Sequence, residues 1–273
     1  MSVQHDVRVL LADVDGTLVT QEKVLTPDAA AAARELHDAG VTLALTSGRP
    51  PRGMAMLIEP LRMQGAIAGF NGGVFVKPDL GVIESRRLDP AVARQTVELI
   101  ASQGLDVWLY TDDQWLIRKQ DAPHVAREAW TVKFDPVVVA EYTDEHYAHA
   151  VKIVGVSDNA GLMEKCEKAA QDRLGDHASA ARSQPYYLDV TSPQANKGAV
   201  VAFLARTMNI SPQQVATIGD MPNDVLMFRA GGFSIAMGNA SDAVKHAANA
   251  VTDSNEREGF AKAIRTLILG RQP

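Results

Sequence analysis

An apolar run that stops abruptly at carboxylates constrains this chain more than any other feature. Val7 to Ala12 reads as a strand buried on both faces of a parallel sheet, and its apolar run Val9-Leu10-Leu11-Ala12 is halted by Asp13 and Asp15. In open α/β sheets, ligands bind at the carboxyl ends of the strands, so Asp13-Val14-Asp15-Gly16-Thr17 stands where a site belongs. The next segments keep the same rhythm. Thr26 caps a helix that begins at Pro27 with Asp28 in its first turn, and Gly40 closes it. Val41 to Thr46 is a second buried strand. It runs into Ser47-Gly48-Arg49-Pro50-Pro51, from which a helix is expected to extend to about Met63. Ala66 to Phe70 is a third, short strand ending in Asn71-Gly72-Gly73.

Near Gly81 the order changes. Helix Pro90 to Gln103 leads into Leu105 to Tyr110, which alternates strictly, and Asp112-Asp113 turn the chain back into Gln114 to Lys119 as an antiparallel hairpin. Strand Ala150 to Val156, helix Asn159 to Leu174 and strands around His177 to Arg182 and Tyr186 to Val190 repeat helix-then-strands. Alternation resumes with helix Lys197 to Met208, strand Val215 to Ile218, helix Asn223 to Ala230, strand Phe233 to Met237 and two further helices. The expected fold is therefore α/β: a doubly wound parallel-sheet (Rossmann-like) core from residues 1–82 and 188–273. An α+β cap domain of two similar halves is inserted over residues 83–187.

Length and composition fit this organisation. A chain of 273 residues is long enough for two domains, and 46% hydrophobic with 22% charged residues is the balance of a soluble globular protein. A net charge of −6 gives no field that would draw nucleic acid or an anionic membrane, and neither is expected as a partner; no obligate protein partner is inferred either. The single cysteine, Cys166, excludes a disulfide scaffold and fits a reducing compartment, the cytoplasm by default. The start of the chain lacks the basic-then-apolar pattern of a secretory leader, and no apolar run approaches the ~20 residues that span a bilayer.

The chemistry sits at the strand ends. Asp13 and Asp15 follow the first strand, Ser47-Gly48-Arg49 the second, and Gly219-Asp220 through Asn223-Asp224 the strand at Val215 to Ile218. Four carboxylates, Asp13, Asp15, Asp220 and Asp224, converge on one sheet edge and need a cation, and hard oxygen ligands with room for water point to Mg²⁺. Lys197 adds a point charge for phosphate oxygens, and Ser47 and Gly48 add donors. This set suits phosphoryl transfer to an anionic Asp13, with Asp15 protonating the leaving oxygen and then deprotonating water. His146 and His149 have metal-ligand spacing but no second pair, so they read as a surface pair, and Cys166 reads as a buried small hydrophobe. For Arg49, an ion pair within the loop and contact with substrate stand as equal readings.

In these motifs, in their order and at these distances, the chain resembles the haloacid dehalogenase superfamily, and within it the Cof-type phosphatases with an inserted cap. Secondary matches are Asn71-Gly72-Gly73, Ala236-Met237-Gly238-Asn239-Ala240 and Ser254-Asn255 before Glu258-Gly259. The resemblance implies a Mg²⁺-dependent phosphatase of small phosphate esters, such as sugar or cofactor phosphates. Asp13 would be its nucleophile and Asp15 its acid/base. It implies metal binding by Asp13, Asp15 through its backbone carbonyl, and Asp220, with Asp224 in support. Phosphate would be bound by Val14, Ser47, Gly48, Lys197 and Asn223, with Thr17, Arg49 and Asn71 assisting. A phosphomutase and, from another class, a phosphoacceptor signalling module remain open. In the cap, Trp108, Tyr110 and Lys152 are the candidates for touching the leaving group, opposite the apolar face of Leu105, Val107 and Leu109.

Overall fold

The computed structural model describes residues 6–271; residues 1–5, the start of the segment read as lacking a leader, lie outside the described residues. Among those described, no helix is long and apolar enough to cross a membrane. The chain forms β1 (Val9–Asp13), β2 (Thr42–Thr46), β3 (Ile67–Gly69), β4 (Val74–Val76) and β5 (Val82–Ser85) first. Then come β6 (Asp106–Tyr110), β7 (Trp115–Ile117), β8 (Val137–Val138), β9 (Lys152–Val156), β10 (Ser179–Gln184) and β11 (Tyr187–Thr191). The last three are β12 (Val215–Gly219), β13 (Phe233–Ala236) and β14 (Ala250–Val251).

Eight strands build the core sheet in the order β14-β13-β12-β1-β2-β3-β4-β5. β1 lies between β12 and β2, parallel to both, and every one of its residues is buried. Its alternation explains the two-sided burial. Leu10 and Ala12 join Ala33, Leu36, Phe260 and Ile264 on one face, whereas Val9 and Leu11 join Phe203, Leu204 and Phe228 on the other. Helix Pro27–Asp38 starts as expected, with Thr26 Oγ1 accepting from the Ala29 N–H, and ends before Gly40 at φ +80°.

Two departures follow from local chemistry. The sheet is not parallel throughout: after Phe70 and Asn71, at φ +52° and +57°, the chain reverses into β4 and β5, which pair antiparallel. The helix expected from Pro51 to Met63 is instead a 3₁₀ turn, Pro51–Met54, and a single α-turn, Ala55–Ile58. Two prolines and Gly53 open this segment, and neither residue type propagates a helix.

The second sheet runs β10-β11-β9-β6-β7-β8, antiparallel except between β7 and β8. Helices Pro90–Ser102 and Ala160–Leu174 each precede an antiparallel pair, β6-β7 and β10-β11, which is the expected two-half pattern. These helices cover the face formed by Leu105, Val107, Leu109, Ile153 and Leu188, with Cys166 buried among them. The opposite face, with Trp108, Tyr110, Trp115, Val154 and Tyr187, shares a cluster with Met54 and Phe70 of the core. β5 pairs within the core sheet and β11 within the cap sheet. Sheet membership therefore puts the two crossings between Ser85 and Pro90 and between Thr191 and Lys197, a few residues beyond 83 and 187.

Candidate active site

β1 delivers Asp13 to the carboxyl edge of the sheet, where the residue is only 4% exposed. Lys197 Nζ donates to Asp13 Oδ1 at 2.6 Å and to Asp224 Oδ1 at 2.5 Å. Lys197 opens helix Lys197–Met208, whose N-cap Asn196 accepts from the Ala199 N–H at 2.9 Å. A cation at a helix N-terminus opposes the helix dipole, so this lysine is held in place by its carboxylates. Asp224 Oδ2 in turn accepts from the backbone N–H groups of Asp220 and Met221, at 2.9 and 2.8 Å. Gly219 is required beside it, because a Cβ there would lie 2.4 Å from Asp224 Cγ.

Asp220 completes the group. Thr17 Oγ1 donates to its Oδ1 at 3.3 Å and Asn239 Nδ2 to its Oδ2 at 3.1 Å. Gly16, at φ +83°, lets the β1 loop close onto this carboxylate. Asp13, Asp220 and Asp224 each offer an oxygen within 4.8 Å of the others, and Asp13 Oδ2 is buried without a hydrogen-bond partner among the described residues. Burial, reinforced by the charges of Asp224 and Asp220 against the opposing Lys197, pushes the Asp13 carboxyl up to about 8. Burial and the Asp224 charge push Asp220 up to about 6. Burial alone would lower the Lys197 ammonium, but Asp13 and Asp224 outweigh it and raise it above its ordinary value. Three carboxylates against one ammonium leave excess negative charge in a buried, all-oxygen pocket. That donor set fits a hard divalent cation.

The fourth expected carboxylate goes elsewhere. Asp15 turns its oxygens to Arg49, which donates from Nε at 2.7 Å and from its terminal nitrogen at 2.6 Å, and to Lys23 Nζ at 2.7 Å. Burial would raise this carboxyl, but the hydrogen bonds and charges of Arg49 and Lys23 prevail and hold it below the usual range. Arg49 is therefore an ion-pair partner of Asp15, and it also donates to the Gly53 carbonyl at 3.2 Å.

The remaining core candidates gather around these groups. Ser47 is buried, and its Oγ accepts from the Arg49 N–H at 3.1 Å. Gly48 is exposed beside Asn71. Asn71 donates its N–H to the Ser47 carbonyl at 2.8 Å and accepts from Asn223 Nδ2 at 3.3 Å, tying the second and fourth motifs together. Val14 is fully buried, and its carbonyl accepts from the N–H groups of Leu18 and Val19 at 3.0 and 3.1 Å, shaping the loop.

A cavity of about 430 Å³ lies between these loops and the cap sheet. Lys197, Asn71 and Asn223 line it from the core, and Lys152, Asp189 and Ser179 from the cap. Of the three cap candidates only Lys152 reaches it. Trp108 and Tyr110 are each 1% exposed and pack beneath, where Tyr110 stacks against Trp115 and donates to Glu128 Oε1 at 3.0 Å. Lys23, Asn239 and Asp189 were not among the sequence candidates. Asn239 lay inside a motif noted only as a secondary match, whereas Lys23 and Asp189 carry no local signal. His146 and His149 serve helix ends: His146 Nδ1 accepts from the Thr143 N–H, and His149 Nδ1 contacts the Glu145 carbonyl.

A buried aspartate at the end of a central parallel strand, clamped by a lysine beneath an inserted cap, marks the site of a hydrolase built on a capped parallel-sheet core. Residues 10–264 match the model of the haloacid dehalogenase-like hydrolase family, and the chain belongs to that family, in its Cof-type, capped branch. Among known proteins it is similar to the 5-amino-6-(5-phospho-D-ribitylamino)uracil phosphatase YcsE of Bacillus subtilis (strain 168). The two are 26% identical, over 98% of this chain and 100% of that protein. It is also 27% identical to the HMP-PP phosphatase of Cronobacter sakazakii, over 84% of this chain and 83% of that one. The crystal structure of a haloacid dehalogenase-like hydrolase from Bacteroides thetaiotaomicron superposes with a TM-score of 0.89 at 27% identity, covering 96% of this chain and 99% of the other.

Proposed function

We propose that this chain is a Mg²⁺-dependent phosphatase of small phosphorylated metabolites that works through an aspartyl-phosphate on Asp13. The observation that carries the reading is the clamp on Asp13. Lys197 holds Oδ1 at 2.6 Å, while Oδ2 is buried and uncommitted, the arrangement of a nucleophile oriented by one oxygen and free at the other. Asp13, Asp220 and the Asp15 backbone carbonyl would hold the cation, with Asp224 steadying Lys197 and the loop. Bound there, the cation would neutralise charge on the phosphoryl oxygens. Lys197, which lines the cavity and is held protonated, supplies the residual positive charge. Asn223, Asn71 and the Ser47-Gly48 turn position the remaining oxygens. Asp15 protonates the leaving oxygen and then deprotonates the hydrolytic water, and to do so its carboxyl must release Arg49 and Lys23. The cap shapes the space for the leaving group, with Lys152 at its surface and Trp108 and Tyr110 supporting the sheet from below.

The small esters named for the Bacillus subtilis and Cronobacter sakazakii relatives support small metabolites as the substrate class. The buried single Cys166 supports a reducing compartment such as the cytoplasm. The test is phosphate release from a panel of small phosphate esters, with Mg²⁺ and with chelator. Turnover that needs the cation and falls by more than ~10³-fold in Asp13→Asn supports the reading. Full activity in that variant would falsify the nucleophile assignment.

A further inference from the structure

Asp189 stands at the cap end of the cavity with half of its carboxylate committed. Its Oδ2 receives Lys152 Nζ at 2.7 Å, which fixes the side chain. Its Oδ1 is buried and has no hydrogen-bond partner among the described residues. The residues opposite it in the sheet supply none: Asp189 on β11 lies between Ala181 on β10 and Val154 on β9, and neither side chain carries a donor. Tyr187, two residues along the same strand, also keeps its hydroxyl without a partner among the described residues, so it makes no hydrogen bond to Asp189. A buried carboxylate oxygen left unpaired is unfavourable, and Asp189 lines the same cavity as Lys197.

We propose that Asp189, oriented by Lys152, is a specificity-determining residue that accepts a hydrogen bond from a hydroxyl group on the leaving group of the substrate. The inference rests on the phosphatase reading and deepens it. Two cations on this wall are already engaged: Lys152 is paired with Asp189, and the Arg182 guanidinium is tied to Glu167 at 2.7 Å. The wall therefore suits a neutral, hydroxyl-bearing leaving group. A carboxylate or second phosphate placed there would face an unpaired acceptor and be repelled. A purely alkyl leaving group would leave Oδ1 desolvated and unpaired, which is the discrimination a hydrogen-bonding site performs best.

The experiment compares kcat/KM for erythritol 4-phosphate and n-butyl phosphate, which have equal carbon chains with and without hydroxyls. Wild type is expected to prefer the polyol ester by about 10-fold or more. Asp189→Ala is expected to lower kcat/KM for the polyol ester by about 10–100-fold and to leave the butyl ester within about 3-fold, while Asp189→Asn, which keeps an acceptor, falls between. Calorimetric binding of both esters to Asp13→Asn, with and without Asp189→Ala, gives a second readout that needs no turnover, and the same ratio should appear there. Equal treatment of the two esters by wild type, or an equal loss on both in Asp189→Ala, overturns the proposal and leaves Asp189 as a structural partner of Lys152. Absence of turnover with selective binding intact overturns the phosphatase reading alone, so the two failures are distinct.

Discussion

Replacing Lys197 by Met removes the only ammonium among the described residues in contact with Asp13 and Asp224, and largely keeps the volume of the side chain. Lys197 is 2% exposed and makes both contacts at 2.6 Å or less. Breaking one partner out of a buried ionic cluster costs ~3–5 kcal/mol at neutral pH or above. The stranded carboxylates have one escape, which is to take up protons. Asp13, already pushed up to about 8, does so at little cost, so the loss is that of neutralising one further carboxylate. Protonating one carboxyl from its ordinary value near 4 costs about 1.4 kcal/mol per pH unit, which caps the loss at about 5–6 kcal/mol at pH 8 but only about 1–2 at pH 5. For a chain of this size, each kcal/mol moves Tm by roughly 2–4 °C. In chelator, Lys197→Met is therefore expected to lower Tm by roughly 6–20 °C at pH 8 and by only a few degrees at pH 5. Scanning calorimetry at the two pH values reads this directly. With cation present, kcat should fall about 10²–10³-fold, the scale of a lost transition-state charge contact. A Tm drop of equal size at both pH values, or none at pH 8, would refute the argument that Lys197 balances ionised carboxylates.

Two further outcomes follow from the same cluster. In chelator, wild-type Tm should fall as pH rises from 5 to 8, because folded Asp13 and Asp220 (about 8 and about 6) still hold protons that the unfolded chain has released above pH ~4. Mg²⁺ should restore Tm most at pH 8, and Asp13→Asn should flatten the slope; a slope of opposite sign in this window would remove the crowding argument. Gly16→Ala forces a Cβ to within 2.3 Å of Asp220 Oδ2 at φ +83°. It is expected to weaken cation affinity in a titration and to destabilise the fold by about 1–3 kcal/mol; unchanged cation affinity would show that the β1 loop does not set the Asp220 position.

Local pattern determined much of this protein. The uninterrupted burial of β1, the Thr26 and Asn196 caps and the bounds of helix Lys197–Met208 all rest on interactions between residues a few positions apart, and these are legible in sequence. The motif residues at the strand ends were legible for the same reason, since the carboxyl end of a buried strand is a defined place in an α/β sheet. What tertiary structure decided was which groups meet. Lys197 and Asp13 are separated by 184 positions, Thr17 and Asp220 by 203, and no local spacing encodes such pairs. Packing alone turned Asp15 away from the other three carboxylates towards Arg49 and Lys23, and committed both oxygens of Asp224. Alternation placed Trp108, Tyr110 and Lys152 on one face, but whether a side chain on that face is buried or lines a cavity depends on what the core presents to it. Phe70, with its ring 5.3 Å from that of Tyr110, covers the aromatic end, while Lys152 and Asp189 remain at the cavity. Sequence period assigns a side chain to a face, and only the docking of the two sheets decides what that face meets.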